Sequence, residues 1–148
     1  MSLSKDFVWG AATAAFQIEG AYNEGGRGPS IWDSPYSDGH VVGNMNGNVA
    51  TDHYHRYKED VALMQKMGLK NYRFSVSWSR LINVKTGEIN EDGKKFYLDL
   101  VKELKNARIE PWVTIYHWDL PIEYHEKGGF LWDGISDVFA SYAATVVD

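Results

Sequence analysis

The residues best suited to chemistry lie together in Tyr116-His117-Trp118-Asp119-Leu120-Pro121. They come after a short apolar run, Trp112-Val113-Thr114-Ile115, which Pro111 introduces. Such a β-branched and aromatic run reads as a buried strand whose exit carries polar and aromatic groups. In parallel α/β folds, ligands bind at the carboxyl ends of strands. A His, two aromatics and an Asp at that point resemble a floor for a sugar ring. Aromatic faces match the C–H faces of the ring, and imidazole and indole N–H groups address hydroxyls. The competing reading is a strand end whose aromatics simply fill the core.

The elements that must hold this segment come from hydrophobic periodicity. A first strand region runs over about 7–18 and is rich in small residues, Gly10-Ala11-Ala12-Thr13-Ala14-Ala15. A long loop from Gly20 to about Asn48 carries the turn signals Gly25-Gly26, Gly28-Pro29 and Asn46-Gly47. A first helix is predicted over 52–66, with Tyr54, Tyr57, Val61, Met64 and Met67 on one face and Gly68 as its stop. The second strand, Tyr72 to Trp78, alternates: Arg73, Ser75 and Ser77 on one face, Tyr72, Phe74, Val76 and Trp78 on the other. A second helix over 92–106 presents Phe96, Leu100, Val101 and Leu104. The third strand is Trp112 to His117, and a third helix begins near Asp133 with Ile135, Val138, Phe139, Tyr142 and Val146 inward.

Three strand-then-helix units predict parallel strands near 8–18, 71–78 and 111–117, side by side in sequence order. The polar face carrying Arg73 favours a barrel, whose strands have one face toward helices and one toward the interior. An edge strand with a solvated face is the alternative.

Composition excludes several classes. With 44% hydrophobic and 24% charged residues, the 148-residue chain has the make-up of a globular domain. No apolar stretch approaches the roughly 20 residues a bilayer span requires. A formal charge of -5 with scattered basic residues argues against nucleic-acid or anionic-membrane partners. There is no cysteine, which excludes thiolate metal sites, and the first residues lack the apolar core of a signal peptide. A cytoplasmic location is the expectation. His53 and His55 stand two apart on the first predicted helix and point to different sides, with no third ligand evident. Neither a metal nor another cofactor is expected.

Five motifs carry a family resemblance. They are Phe7-Val8-Trp9-Gly10-Ala11-Ala12-Thr13-Ala14-Ala15-Phe16-Gln17-Ile18-Glu19-Gly20, Ser30-Ile31-Trp32-Asp33, Asp52-His53-Tyr54-His55-Arg56-Tyr57-Lys58-Glu59-Asp60, Tyr72-Arg73-Phe74-Ser75-Val76-Ser77-Trp78-Ser79-Arg80 and Tyr116-His117-Trp118-Asp119-Leu120-Pro121. In this order they resemble the amino-terminal part of family-one glycoside hydrolases, the β-glucosidase family. The resemblance implies the first three β-α units of a (β/α)8 TIM barrel, residues 1–148 being the amino-terminal part of one barrel domain. It implies a retaining hydrolase of β-linked glycosides. Gln17 and His117 would bond hydroxyls of the sugar, and Trp118 would pack in the same subsite. Arg73 would sit beside the catalytic nucleophile and favour its ionised form. Trp32 reads as structural rather than ligand-facing.

Retaining hydrolysis requires two carboxyl groups about 5–5.5 Å apart. In the family these lie in a Thr-x-Asn-Glu-Pro segment and a Thr/Ile-Glu-Asn-Gly segment, and neither occurs here. Glu19, Asp119 and Glu123 stand near strand ends but show no pattern of an acid/base pair. No catalytic residue is therefore assigned, and the chain alone is expected to be inactive. The alternative is a truncated paralogue with weak sugar binding or no activity. Three strands would leave two open edges, so self-association or the remainder of a barrel is the expected partner besides a small glycoside. The lack of Pro around Ser79-Arg80-Leu81-Ile82-Asn83, where family members often carry it, predicts a looser turn.

Overall fold

The computed structural model describes residues 3–33, 35 and 37–148. Its core is a three-stranded sheet of β1 (Ala11–Ala12), β2 (Asn71–Ser75) and β5 (Glu110–Thr114), in the order β1-β2-β5 and parallel throughout. Arg73 stands at the centre of the register, between Ala12 and Trp112. The sheet does not close on itself.

Each strand leads toward a helix. β1 is followed by the short α1 (Ala15–Ile18) and, after the long loop, by α2 (His53–Lys66). β2 leads into α3 (Trp78–Leu81) and then, after a two-stranded antiparallel hairpin of β3 (Ile82–Asn83) and β4 (Glu88–Ile89), into α4 (Glu91–Asn106). β5 leads through α5 (Ile122–Glu126) to α6 (Ile135–Val147). The predicted parallel order and the three long helices are present. The hairpin, α3 and α5 are additions the periodicity did not reveal, because the hairpin strands have two residues each and the helices four and five.

The two β-α units that enclose β2 end their helices in the same way. After α2, the Gly68 amide donates to Gln65 O and the Leu69 amide to Met64 O. After α4, Arg108 donates to Lys105 O and Ile109 to Leu104 O. This paired closure needs a left-handed residue just past the helix. Gly68 supplies it at φ +79°, whereas Arg108 adopts φ +59° with a side chain in place.

The apolar faces of α2, α4 and α6 meet the sheet. Tyr72 and Phe74 are buried beside Val61, Phe96, Leu100, Leu104, Ile135 and Tyr142. Tyr54, Tyr57 and Met64 pack on this cluster, but Met67 faces solvent because α2 ends there. The predicted alternation of the second strand needs correction. Tyr72 and Phe74 do oppose Arg73, but Ser75 is buried, and the strand stops there. Trp78 belongs to α3, where it stacks on Tyr142 with ring centres 4.6 Å apart. The first strand region, predicted over 7–18, shrinks to the strand Ala11–Ala12, and its end, Ala15–Ile18, is helical. The third strand ends at Thr114 rather than His117.

The segment 79–83 is also tighter than its sequence suggests. Ser79, Arg80, Leu81 and Ile82 are all buried. Among the described residues no helix is long and apolar enough to cross a membrane.

Candidate functional site

The candidate site is built from the segments that leave the carboxyl ends of the strands. Beyond β1 the chain stays tied to β2: the Thr13 amide donates to Arg73 O at 2.9 Å, and the hydroxyls of Thr13 and Tyr72 lie 2.6 Å apart. The Ala15 amide then donates to the buried Ser75 hydroxyl at 2.8 Å. Ser75 thus spends its side chain on fixing α1 at the end of β2. Gln17, on α1, is exposed and makes no side-chain hydrogen bond among the described residues.

Beyond β5, Tyr142 of α6 performs the matching task. Its hydroxyl lies 2.6 Å from Ile115 O and 3.1 Å from Val76 O, so α6 clamps the exits of β2 and β5 together. His117 comes next, half-buried, with its Nδ1 buried and unpartnered. Trp118 is 70% exposed and sits at φ +69°. The strand exits therefore place Gln17, His117 and Trp118 at one end of the sheet. No hydrogen bond joins Gln17 to His117 among the described residues. Arg73 lies on the sheet face away from the Tyr72–Phe74 core, exposed, and lines a cavity with Val8, Gly10, Asn71 and Trp112. It makes no ion pair among the described residues.

Asp119 does not join the floor. It is only 1% exposed, and neither carboxylate oxygen has a hydrogen-bond partner. Burial above all, and then the charge of Glu19, push its pKa up to about 7. The backbone of Asp119 itself, and then Arg27 and Ser77, offset only part of this. A carboxyl in that setting is enclosed by the protein, unlike the exposed Trp118 before it.

Sequence reasoning missed the polar cluster beneath the site. Glu19 accepts from Arg80 Nε at 2.8 Å and from the Tyr97 hydroxyl at 2.7 Å. Arg80 also donates to Gly20 O at 3.0 Å and lies over the Tyr54 ring, 4.4 Å from its centre. Tyr97 in turn accepts from the Ser77 amide, and burial, reinforced by Glu19, pushes its pKa well up. Asn90 bridges Gly25 O and Arg80 O at 2.6 and 2.8 Å. Gly93 passes so close to Arg80 O that a Cβ there would collide with it. The one signal in the sequence was a charged residue inside the run Trp78-Ser79-Arg80-Leu81-Ile82, since a buried arginine requires a partner.

A second pair, Arg27 and Asp33, shapes the long loop. The two bond twice, at 2.9 and 3.2 Å, and Asp33 also accepts from the amide and hydroxyl of Ser30. Residues 29–31 then lie antiparallel along 120–122: Ser30 bridges Pro121, and Ile31 donates to Leu120 O at 2.9 Å. Trp32 continues this seam, its Nε1 donating to Trp118 O at 2.8 Å. His53 and His55 part as expected. The first is buried against Asp60, and the second is exposed between Asp52 and Glu24. Its carboxylate hydrogen bonds, that to Asp52 leading, raise the pKa of His55.

Comparison with known proteins places this geometry. The family described as Glycosyl hydrolase family 1 matches residues 1–148. Beta-glucosidase A of Acetivibrio thermocellus is 46% identical over 147 residues, covering 99% of this chain and 33% of that protein. Aryl-phospho-beta-D-glucosidase BglC of Bacillus subtilis is 53% identical, covering 98% and 31%. Among solved structures, a beta-glucosidase from Exiguobacterium marinum superposes with a TM-score of 0.91 at 50% identity, covering 98% of this chain and 33% of that one. The beta-glucosidase from Thermotoga maritima in complex with azafagomine superposes equally well, at 43% identity, with 97% and 33% covered. The chain thus spans about a third of the length of the relatives it matches, and its sheet is an open portion of their barrel.

Proposed function

The chain belongs to glycosyl hydrolase family 1, and on that premise we propose that it supplies the amino-terminal sugar-binding third of a retaining β-glucosidase-type hydrolase. Gln17 and His117 bond hydroxyls of the sugar, and Trp118 offers its face to the ring. Arg73 awaits a nucleophilic carboxylate contributed from outside these 148 residues.

The observation that supports this reading is how unevenly polar groups are spent. The side chains of Arg27, Arg80, Glu19, Asp33 and Ser75 are buried and bonded within the chain. Gln17, Trp118 and Arg73 are exposed, and His117 is half-buried with no side-chain hydrogen bond among the described residues. An amide provides both donors and an acceptor, so Gln17 can serve two adjacent hydroxyls. Local carboxylates do not substitute for the missing catalytic pair. Glu19 is held by Arg80 and Tyr97, and Asp119 is buried.

The test is complementation. The purified chain should not hydrolyse an aryl β-glucoside, or its phosphorylated counterpart, above background. Joined in frame to the other two thirds of Beta-glucosidase A, it should do so. In that chimera His117→Ala should lower kcat/KM by about 0.5–1.5 kcal/mol per neutral hydrogen bond lost, and more if the bond carries charge in the transition state. Turnover by the chain alone that persists through purification, or a chimera indifferent to His117→Ala, would overturn the proposal.

A further inference from the structure

We infer that Trp32 is a positioning residue for the sugar floor: its indole N–H holds the Trp118 backbone in the conformation that presents the Trp118 ring. The functional half of this statement rests on the reading of Trp118 as a sugar platform. The positioning half rests on geometry alone.

Trp118 adopts φ +69°. Bulky residues rarely enter this left-handed region, and they remain there only when their surroundings hold them. The residues after Trp118 are held by backbone, through the Ser30–Pro121 bridge, the Ile31 bond to Leu120 O and the Ile122 bond to Pro29 O at 3.2 Å. At Trp32 this backbone seam stops. The Asp33 amide turns back to Ser30 O, and the Trp32 amide lies 3.3 Å from the Ser30 hydroxyl. The next rung is therefore a side chain, Trp32 Nε1 to Trp118 O at 2.8 Å. It is placed by a rigid support, since Asp33 is locked to Arg27.

The same indole meets the other half of the floor. Its ring lies 6.2 Å from that of Phe16, tilted by 33°. Phe16 precedes Gln17 and is itself fenced by Gly47, where a Cβ would stand 2.7 Å from Phe16 O and 2.9 Å from its ring. Gln17 and Trp118 share no direct bond among the described residues. Trp32 is the piece that touches both neighbourhoods, one by hydrogen bond and one by ring contact. Its 36% exposure fits a wall that braces the floor.

The experiment separates the two halves. The chain is labelled for NMR, and Trp32→Phe removes the N–H while keeping an aromatic ring. A benzothienylalanine at the same position replaces the N–H by sulfur and keeps the indole shape, which covers the case in which Trp32→Phe does not fold. Both changes should move the Trp118 carbonyl and Asp119 amide signals and leave those of β2 in place. In a glucose titration the response at Gln17 and His117 should weaken about fivefold, the equivalent of about one neutral hydrogen bond. Trp118 and Asp119 signals that do not move in the isosteric variant overturn the inference. If they move while the unsubstituted chain shows no response to glucose, Trp32 positions Trp118 as inferred and the sugar reading of the floor fails instead.

Discussion

Two arginines seven residues apart, Arg73 and Arg80, live in opposite surroundings. Arg80 is fully buried, with Glu19, the Gly20 carbonyl and the Tyr54 ring around it. Arg73 is exposed on an open sheet face and makes no ion pair among the described residues. Both belong to the same run from Tyr72 to Arg80, so residue type does not separate them. What separates them is the course of the chain. β2 ends at Ser75, and α3 then carries Arg80 beneath the long loop, while Arg73 remains on the strand. A buried charge must be satisfied within the chain, and one that is satisfied cannot be offered to a ligand. The Arg80 cluster is therefore the brace, and the Arg73 face is the part left open.

The sharpest way to break this contrast is Arg80→Met. It leaves the Glu19 carboxylate buried without its cation, and removal of one partner of a buried pair costs about 3–5 kcal/mol. Urea unfolding of the two proteins measures it; a loss below about 1 kcal/mol would show that the cluster does not brace the fold.

Asp119 gives a second test, through pH. Its folded pKa, about 7, lies above its ordinary 3.8, so the folded state holds the proton more tightly. The resulting stability is fully present below pH 3.8 and is lost as pH rises through about 7. The slope between these limits is at most about 1.4 kcal/mol per pH unit. Asp119→Asn should remove that slope, so the difference between the two stability curves should favour the variant increasingly up to neutral pH. Parallel curves would show that Asp119 is not held in a neutral, buried state.

A smaller effect sharpens the comparison between the two β-α units. Gly68 and Arg108 occupy equivalent left-handed positions, and only the second carries a Cβ. Arg108→Gly should raise the midpoint of thermal unfolding, by up to about 1 kcal/mol in stability, because relief of left-handed strain outweighs the added chain entropy. Gly68→Ala should lower it.

The smallest expected change is at the open face. Arg73→Ala should alter stability by no more than about 0.5 kcal/mol, as for a surface residue without partners. On the role proposed for Arg73, the same change in a completed barrel should move the acidic limb of the pH–rate profile upward, because the nucleophile would lose a neighbouring cation. A large stability loss would place Arg73 with Arg80 as structural.

Much of this could be read in the residues. The stripes Tyr54-Tyr57-Val61-Met64 and Phe96-Leu100-Leu104 marked α2 and α4, since a face repeated over several turns has few other uses. Gly68 marked a helix end correctly, and Arg108 gave no sign of one. Gln17, His117 and Trp118 were nominated by residue type and motif, and the strand exits do carry them. Asp119 was grouped with them and is buried instead. The residues just before it are exposed or half-buried, and nothing in the letters distinguishes the one that turns inward.

The division tracks the range of the forces. Sequence by itself determined the β-α order, the helical faces and the family, because periodicity and motifs are local and survive without a partner. Only the tertiary structure decided which polar groups are spent and which are free. Glu19 meets Tyr97 across 78 positions, Tyr142 reaches back to Val76 across 66, and Trp32 donates to Trp118 across 86. Each of these bonds depends on where the chain returns, and burial, which sets the cost of leaving a polar group unpaired, is a property of the assembled fold.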